Sequence, residues 1–508
     1  MASSPLFIGI LIAYGVICVV IGLIRFRSAK SLADFQVAGR SLGPYVVATS
    51  FVAASASGVI FMGGPGIGFA IGPAIALIAL AVTLAAALLA PLVMGPRLHV
   101  VSQKFQLISI PEFIDMRFGR NPLVKVLAVI SIIGVCYFYS VPQVIAGAKF
   151  LQAFAGVDFV SGLLITIIWV TIYTAMSGYM ATAWIDFLHA HVIAAAMLLT
   201  AYPLFVKAGG FVGIHQGLNQ INPQFTTWHG MMTPWMIIGF VVAVLVGYGF
   251  GQPHMLAKYY ALKDTRRFRQ IVVYLLVIFS LTVLPMYYMG SGYRVLLTEA
   301  AVKVPHPDFA GPLVAQHFLP QALTVLFGLG VMAAITSTLS AFMMVTSASL
   351  ARDLYQGLIN PRATDRQVLR ASRVLVVLWA VLVTSSVFWQ SELIVMLALL
   401  AITLDAATVA PVMLFSLYWR RATAAGVATS MVLGFTAVLG WYLLGRPFGI
   451  HEVFPGLLVS VGGMVLVSRF TPPPPEKVVE SFFSLFPGKK APQLPDASGG
   501  GTSVTGLA

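Results

Sequence analysis

The sequence predicts an all-α membrane protein with 13 transmembrane helices, and three observations lead there. Of its 508 residues, 59% are hydrophobic and only 9% are charged, with a mean hydropathy of +0.93. Such a chain is too apolar and too sparsely charged to present a water-soluble surface. Apolar stretches of spanning length recur along it. The basic residues fall in short clusters between those stretches, so the net charge of +14 reflects membrane topology and gives no reason to expect a nucleic-acid partner. Cys18 and Cys136 both lie inside apolar stretches and have neither metal-ligand nor disulfide-framework spacing.

The first span, about 5–24, has no basic residue before it and Arg25, Arg27, Lys30 and Arg40 after it. A cleaved signal peptide has the reverse charge order, so this reads as a retained helix with its N-terminus outside. Spans follow at about 44–72, 74–95, 122–154, 158–177, 179–206, 234–256, 270–292, 319–351, 371–389, 392–418, 423–444 and 453–469. With the N-terminus outside, 25 of the 30 Lys and Arg lie in cytoplasmic segments, Lys258 and Lys263 among them. Only Lys149, Lys207, Arg294, Lys303 and Arg446 lie outside. That bias fits a plasma or inner membrane orientation with a cytoplasmic C-terminus. The tail, 471–508, opens with Pro472–Pro475. Its Phe482, Phe483 and Phe486 suit a membrane surface, and 498–508 has the composition of a disordered end.

The second span is built to break. Residues 53–67, AASASGVIFMGGPGI, place Ser55, Ser57, Gly58 and a Gly63-Gly64-Pro65-Gly66 cluster inside an apolar helix. Proline removes a backbone donor, glycine frees the backbone to turn, and at membrane depth freed backbone groups belong where they line a cavity. A second such helix lies five spans later, LVGYGFGQPHM at 245–255. Two broken helices at matching places in two five-helix halves point to an inverted-repeat transporter.

The chemistry-bearing candidates are few. In VMAAITSTLS at 331–340, Ala334, Ser337 and Thr338 share one helix face. Two hydroxyls with a nearby freed carbonyl suit a hard monovalent cation. Asp186, near the cytoplasmic end of its span, and Asp405, near a span centre, are intramembrane acids, which are functional by default. Asp405 is expected to serve ion or proton coupling. His189 and His191 point to opposite sides of a helix and make a poor metal pair, and His254 suits a local hydrogen bond. No nucleophile, P-loop or metal cluster suggests an enzyme.

The runs GRSLGP (39–44), SASG with GGPG (55–58, 63–66), YTAMSGYMATAWIDFLHA (173–190), GQPH (251–254), ITSTLSAFMMVTSASLARDLY (335–355) and PVMLFSLYWRRAT (411–423) resemble the sodium:solute symporter family over about 5–470. The resemblance implies a leucine-transporter-type fold. One leading helix (5–24) precedes two inverted five-helix repeats (44–206 and 234–418), and two trailing helices (423–469) follow. It implies Na+ as coupling ion, with H+ the alternative, held by Ala53, Ala56, Ala334, Ser337 and Thr338. Asp186 matches a position associated with the sodium path. A substrate-facing tyrosine falls on Tyr139, with Gln143 one turn on, and Ser55, Ser57 and Tyr248 would complete a polar pocket. Proline transporters of the family carry Asp, Trp and Tyr where this chain has Ser55, Leu245 and Gly249, which counts against proline.

The expected function is Na+-coupled symport of a small solute across the lipid bilayer by alternating access, with no obligate protein partner. Because helix N-termini attract carboxylates, a small organic acid of the monocarboxylate or pantothenate kind is the preferred substrate. An amino acid or sugar is the runner-up. A membrane solute sensor feeding a signalling partner is the reading from another class.

Overall fold

A computed structural model describes residues 5–26, 32–264, 268–389 and 394–486. The basic positions Arg27, Lys30, Arg266, Arg267, Lys489 and Lys490 and the end of the tail, 498–508, lie outside the described residues. The rest is nearly all helix. Helix α1 spans Leu6–Ile24, and α2 comes in two halves, Pro44–Ser55 and Val59–Ile71, bent by 50°. Then come α3 (Ile75–Phe105), α4 (Pro122–Ala155), α5 (Phe159–Met176), α6 (Gly178–Lys207), α7 (Pro234–Ala261) and α8 (Phe268–Glu299). The last five are α9 (Gln321–Ile359), α10 (Asp365–Ser386), α11 (Met396–Tyr418), α12 (Ala424–Leu443) and α13 (Val453–Phe470). Twelve long apolar helices plus the bent pair make up to 13 spans. Between α5 and α6 the chain kinks at Gly178, whose φ of 61° is a left-handed value that a side chain would resist.

The two broken helices run in opposite directions. Leu42, just before α2, donates its N–H to the carbonyl of Ala261 at 3.1 Å, and Lys263 N–H returns to Leu42 O at 3.1 Å. The start of α2 and the end of α7 therefore meet at one end of the bundle, as inversion of one five-helix unit relative to the other requires. That end is basic, and some of its charges are deeply buried. Arg117 is fully buried and donates to the carbonyls of Ser416 and Trp419 at 3.0 and 3.2 Å, and burial pulls its guanidinium down to about 10. Lys258, expected as a loop charge, lies within α7 and is 1% exposed.

The α2 and α9 helices carry few exposed residues, whereas α1, α10, α12 and α13 form the rim. Phe482, expected on the membrane surface, instead stacks on Phe105 at 4.9 Å and meets Phe113 edge-on. The rings of Phe483 and Phe486 lie over Arg117 and Arg97. Burying an aromatic on the protein's own face, with guanidinium groups against it, satisfies both partners.

Candidate ion and substrate site

The break in α2 frees specific carbonyls. Ser57 N–H, the helical partner of Ala53 O, turns back to Ser55 O at 2.8 Å. Gly58 N–H, the helical partner of Ala54 O, donates instead to Gln143 Oε1 at 3.0 Å. Both carbonyls are then taken up by α9. Ser337 Oγ donates to Ala53 O at 2.7 Å and lies 3.1 Å from Ala334 O, and Thr338 Oγ1 donates to Ala54 O at 2.8 Å. The structure thus brings Ala53, Ala334, Ser337 and Thr338 together as a cluster of neutral oxygens, the donor set a hard monovalent cation takes. Ala56 lies at the break itself, its N–H on Val52 O. Ala54 was absent from the sequence-derived set, because a carbonyl ligand leaves no mark in side-chain identity.

Gly58 also lets α2 approach closely. A Cβ there would come 2.5 Å from Ile335 Cγ1 and 3.1 Å from Gln143 Oε1. Next to it, Ser57 lies beside the Tyr139 hydroxyl, and Tyr139 meets Tyr248 hydroxyl to hydroxyl at 3.5 Å. Ser57, Tyr139, Gln143 and Tyr248 are each at most 3% exposed, so this polar cluster is buried. Gln143 Nε2 has no hydrogen-bond partner among the described residues, and the hydroxyl that Ser57 Oγ faces is that of Tyr139. Ser55 does not join them: its hydroxyl bonds back to Phe51 O at 2.7 Å and touches Met255 Sδ. This is the common fate of a mid-helix serine.

In α7, Pro253 has no N–H to offer Gly249 O, and Gln252 N–H goes to Gly247 O at 3.1 Å, so the carbonyls of Tyr248 and Gly249 lose their helical donors. His254, expected to make a local hydrogen bond, packs its ring 4.2 Å from Phe342 and faces the Ala54 backbone. His189 lies 3.7 Å from Cys18 Sγ, and His191 bonds Tyr45 at 2.9 Å. No group of three or more His, Cys, Asp or Glu among the described residues could hold a metal.

The two intramembrane acids part company. Asp186 Oδ2 accepts from Ser50 Oγ at 2.6 Å and lies 3.3 Å from Lys258 Nζ, which also donates to Ser50 Oγ at 2.6 Å. This triad ties both broken helices to α6 at the basic end. Asp405, on α11, packs against Gly251 of the second break.

A model of the sodium:solute symporter family matches residues 35–434. The chain belongs to that family. Curated relatives of this symporter include the osmoregulated proline transporter OpuE and the high-affinity proline transporter PutP of Bacillus subtilis. Each is 28% identical over 91% of this chain, and the match covers 94% and 98% of their respective lengths. A sodium/proline symporter of Haemophilus influenzae is 27% identical over 91% of this chain and 94% of its own. Among solved structures, a Na+-coupled sialic acid symporter superposes with a TM-score of 0.78 at 16% identity, covering 92% of this chain and 99% of that one. The transporter Mhp1 superposes with a TM-score of 0.52 at 15% identity, over 88% and 98%. The protein is a multi-pass cell-membrane transporter, a Na+-coupled solute symporter with the inverted-repeat fold.

Proposed function

We propose that this symporter imports a small α-amino acid, driven by Na+ entering with it. The observation that carries the reading is the buried polar cluster between the two breaks. It offers neutral groups, the unpaired Gln143 Nε2 with the Ser57, Tyr139 and Tyr248 hydroxyls, and no side-chain cation is among these four. A zwitterion brings its own neutralising charge to such neutral surroundings, whereas a plain organic anion brings a charge that none of these four groups neutralises. The named activities of OpuE and PutP support an amino acid as well. The organic acid favoured by helix-end electrostatics alone becomes the second choice. Because Ser55, Leu245 and Gly249 replace the residues that proline transporters of the family carry, the reading is of a class of amino acid and does not single out proline.

In this reading Na+ is held by the carbonyls of Ala53, Ala56 and Ala334 and the hydroxyls of Ser337 and Thr338, with Ala54 O anchoring Thr338. The ion thereby joins the broken helix α2 to α9, and the substrate shares the same α2 break. Each ligand stabilises the closed arrangement the other needs, which is coupling in its thermodynamic sense. The basic end, with its Asp186, Ser50 and Lys258 triad, faces the cytoplasm and forms the inner gate. The test is uptake of labelled proline, alanine and serine beside acetate, pyruvate and pantothenate, in proteoliposomes with and without an inward Na+ gradient. Na+-stimulated entry of an amino acid is expected. Entry of an organic acid or a sugar alone would overturn the reading.

A further inference from the structure

The carboxylate of Asp405 has no assigned partner, and its placement is specific. Helix α7 lies against α11 at backbone contact because Gly247 and Gly251, one turn apart, leave no side chain between them. A Cβ at Gly247 would come 2.5 Å from Ile402 O, and one at Gly251 would come 2.6 Å from Asp405 Oδ1. The second break is therefore where the carboxylate enters the bundle. It is fully buried, and neither oxygen has a hydrogen-bond partner among the described residues.

Four other buried carboxylates have cation partners. Asp186 has Lys258, Asp308 has Lys149 at 2.7 Å, Glu452 has Arg446 at 2.8 Å, and Asp115 has Lys125 at 3.1 Å. Asp353 faces the Ser109 hydroxyl, with Glu112 as well as Lys125 and Arg352 in its field. Neutral groups lie around Asp405: Cys136 from α4 and Tyr248 from α7, with Gln252 next in the chain after Gly251. Cys136 and Tyr248 both lie within its field. Gln252 has both amide atoms unpartnered among the described residues. An intramembrane acid pairs with another group or marks a substrate or ion path, and among the described residues no side-chain cation pairs with this one.

We infer that Asp405 receives the protonated nitrogen of the substrate, making it the residue that selects ammonium-bearing solutes over plain carboxylates. This rests on the reading of the α2 and α7 breaks as the substrate site. The ammonium donates N–H bonds to the two carboxylate oxygens, while the substrate carboxylate reaches the unpaired donor Gln143 Nε2 at the first break. The two ends of an α-amino acid are thereby read by two different broken helices. Lactate or propionate, lacking the nitrogen, leaves Asp405 unpaired.

The experiment compares the full chain with Asp405→Asn and Asp405→Glu in proteoliposomes. It reads Na+-driven uptake of labelled proline and alanine, inhibition by lactate, propionate and tetrahydrofuran-2-carboxylate, and thermal stabilisation of the purified protein by Na+ and by each solute. In Asp405→Asn the KM for the amino acid is expected to rise by about thirtyfold or more. The preference for alanine over lactate should collapse, while Na+ still stabilises the fold. Asp405→Glu should keep the preference. An unchanged amino-acid KM in Asp405→Asn overturns this inference and leaves amino-acid import standing. So does a change confined to the Na+ or pH dependence, which would make Asp405 an ion ligand. A wild-type chain that transports or is stabilised only by plain acids overturns both.

Discussion

Replacing Lys258 by Met tests whether the basic end is held shut by a buried charge pair. Lys258 and Asp186 side chains are 2% and 1% exposed, so solvent screening gives little relief. Removing the ammonium strands a carboxylate that keeps the Ser50 hydroxyl as its hydrogen-bond donor and has Oδ1 unpartnered. Breaking one partner of a buried pair costs about 3–5 kcal/mol, whereas removing both charges together is often close to neutral. Lys258→Met should therefore destabilise the detergent-solubilised protein by about 3 kcal/mol or more. The double variant Lys258→Met/Asp186→Asn should recover most of that loss. The non-additivity, read from melting curves of the four proteins in a double-mutant cycle, is the coupling energy of the pair. Melting of Lys258→Met alongside wild type, or a double variant as unstable as the two single losses summed, would refute the reasoning.

Three further perturbations follow from the same geometry. Ser337→Ala removes the hydroxyl on Ala53 O, and an interaction of about 1.4 kcal/mol corresponds to a tenfold rise in the Na+ half-saturation of uptake; an unchanged Na+ dependence would exclude Ser337 from the ion site. Gly58→Ala drives a Cβ into Ile335 and Gln143, and overpacking of about 1–3 kcal/mol should depress both melting temperature and uptake, while wild-type behaviour of both would mean that α2 and α9 are not in close contact there. Glu452, at the start of α13, feels burial, which alone would raise its carboxyl, but its hydrogen bonds from Arg446 hold it below the ordinary glutamate value; adjacent His451 is itself drawn down to about 4 by burial. Its contribution is therefore present above the unfolded value, about 4.3, and lost as pH falls through the folded one. Glu452→Gln should melt earlier than wild type at pH 7, with the gap closing at acid pH; a gap independent of pH would contradict the pairing.

Much of the fold could be read from the chain because each device left a side-chain signature. The Gly and Pro residues marked both breaks, the spacing of Ser337 and Thr338 set them on one face, and Tyr139 with Gln143 gave a polar turn. What stayed hidden was carried by the backbone or by tertiary contact. Ala54 acts through a carbonyl, which any residue has. Lys258, five residues beyond Pro253, looks in sequence like one more loop cation, and only the approach of α6 gives it Asp186. Ser55 resembled a pocket residue until its hydroxyl turned back on Phe51. Phe482 read as membrane-facing because the sequence does not reveal that Phe105 and Phe113 offer it an aromatic bed. Asp405 stood out by depth alone, and that it has no hydrogen-bond or cation partner among the described residues emerged only from the packing of α7 against α11.

The most direct test of the central account is to follow radioactive Na+ and a labelled amino acid together in the same proteoliposomes. It compares wild type with Ser337→Ala/Thr338→Val, which leaves the carbonyls of Ala53 and Ala54 without their hydroxyl partners. The account predicts amino-acid-dependent Na+ entry in wild type and its loss, along with concentrative uptake, in the variant. Amino-acid uptake with no accompanying Na+, or Na+-coupled uptake untouched by the double substitution, would contradict it.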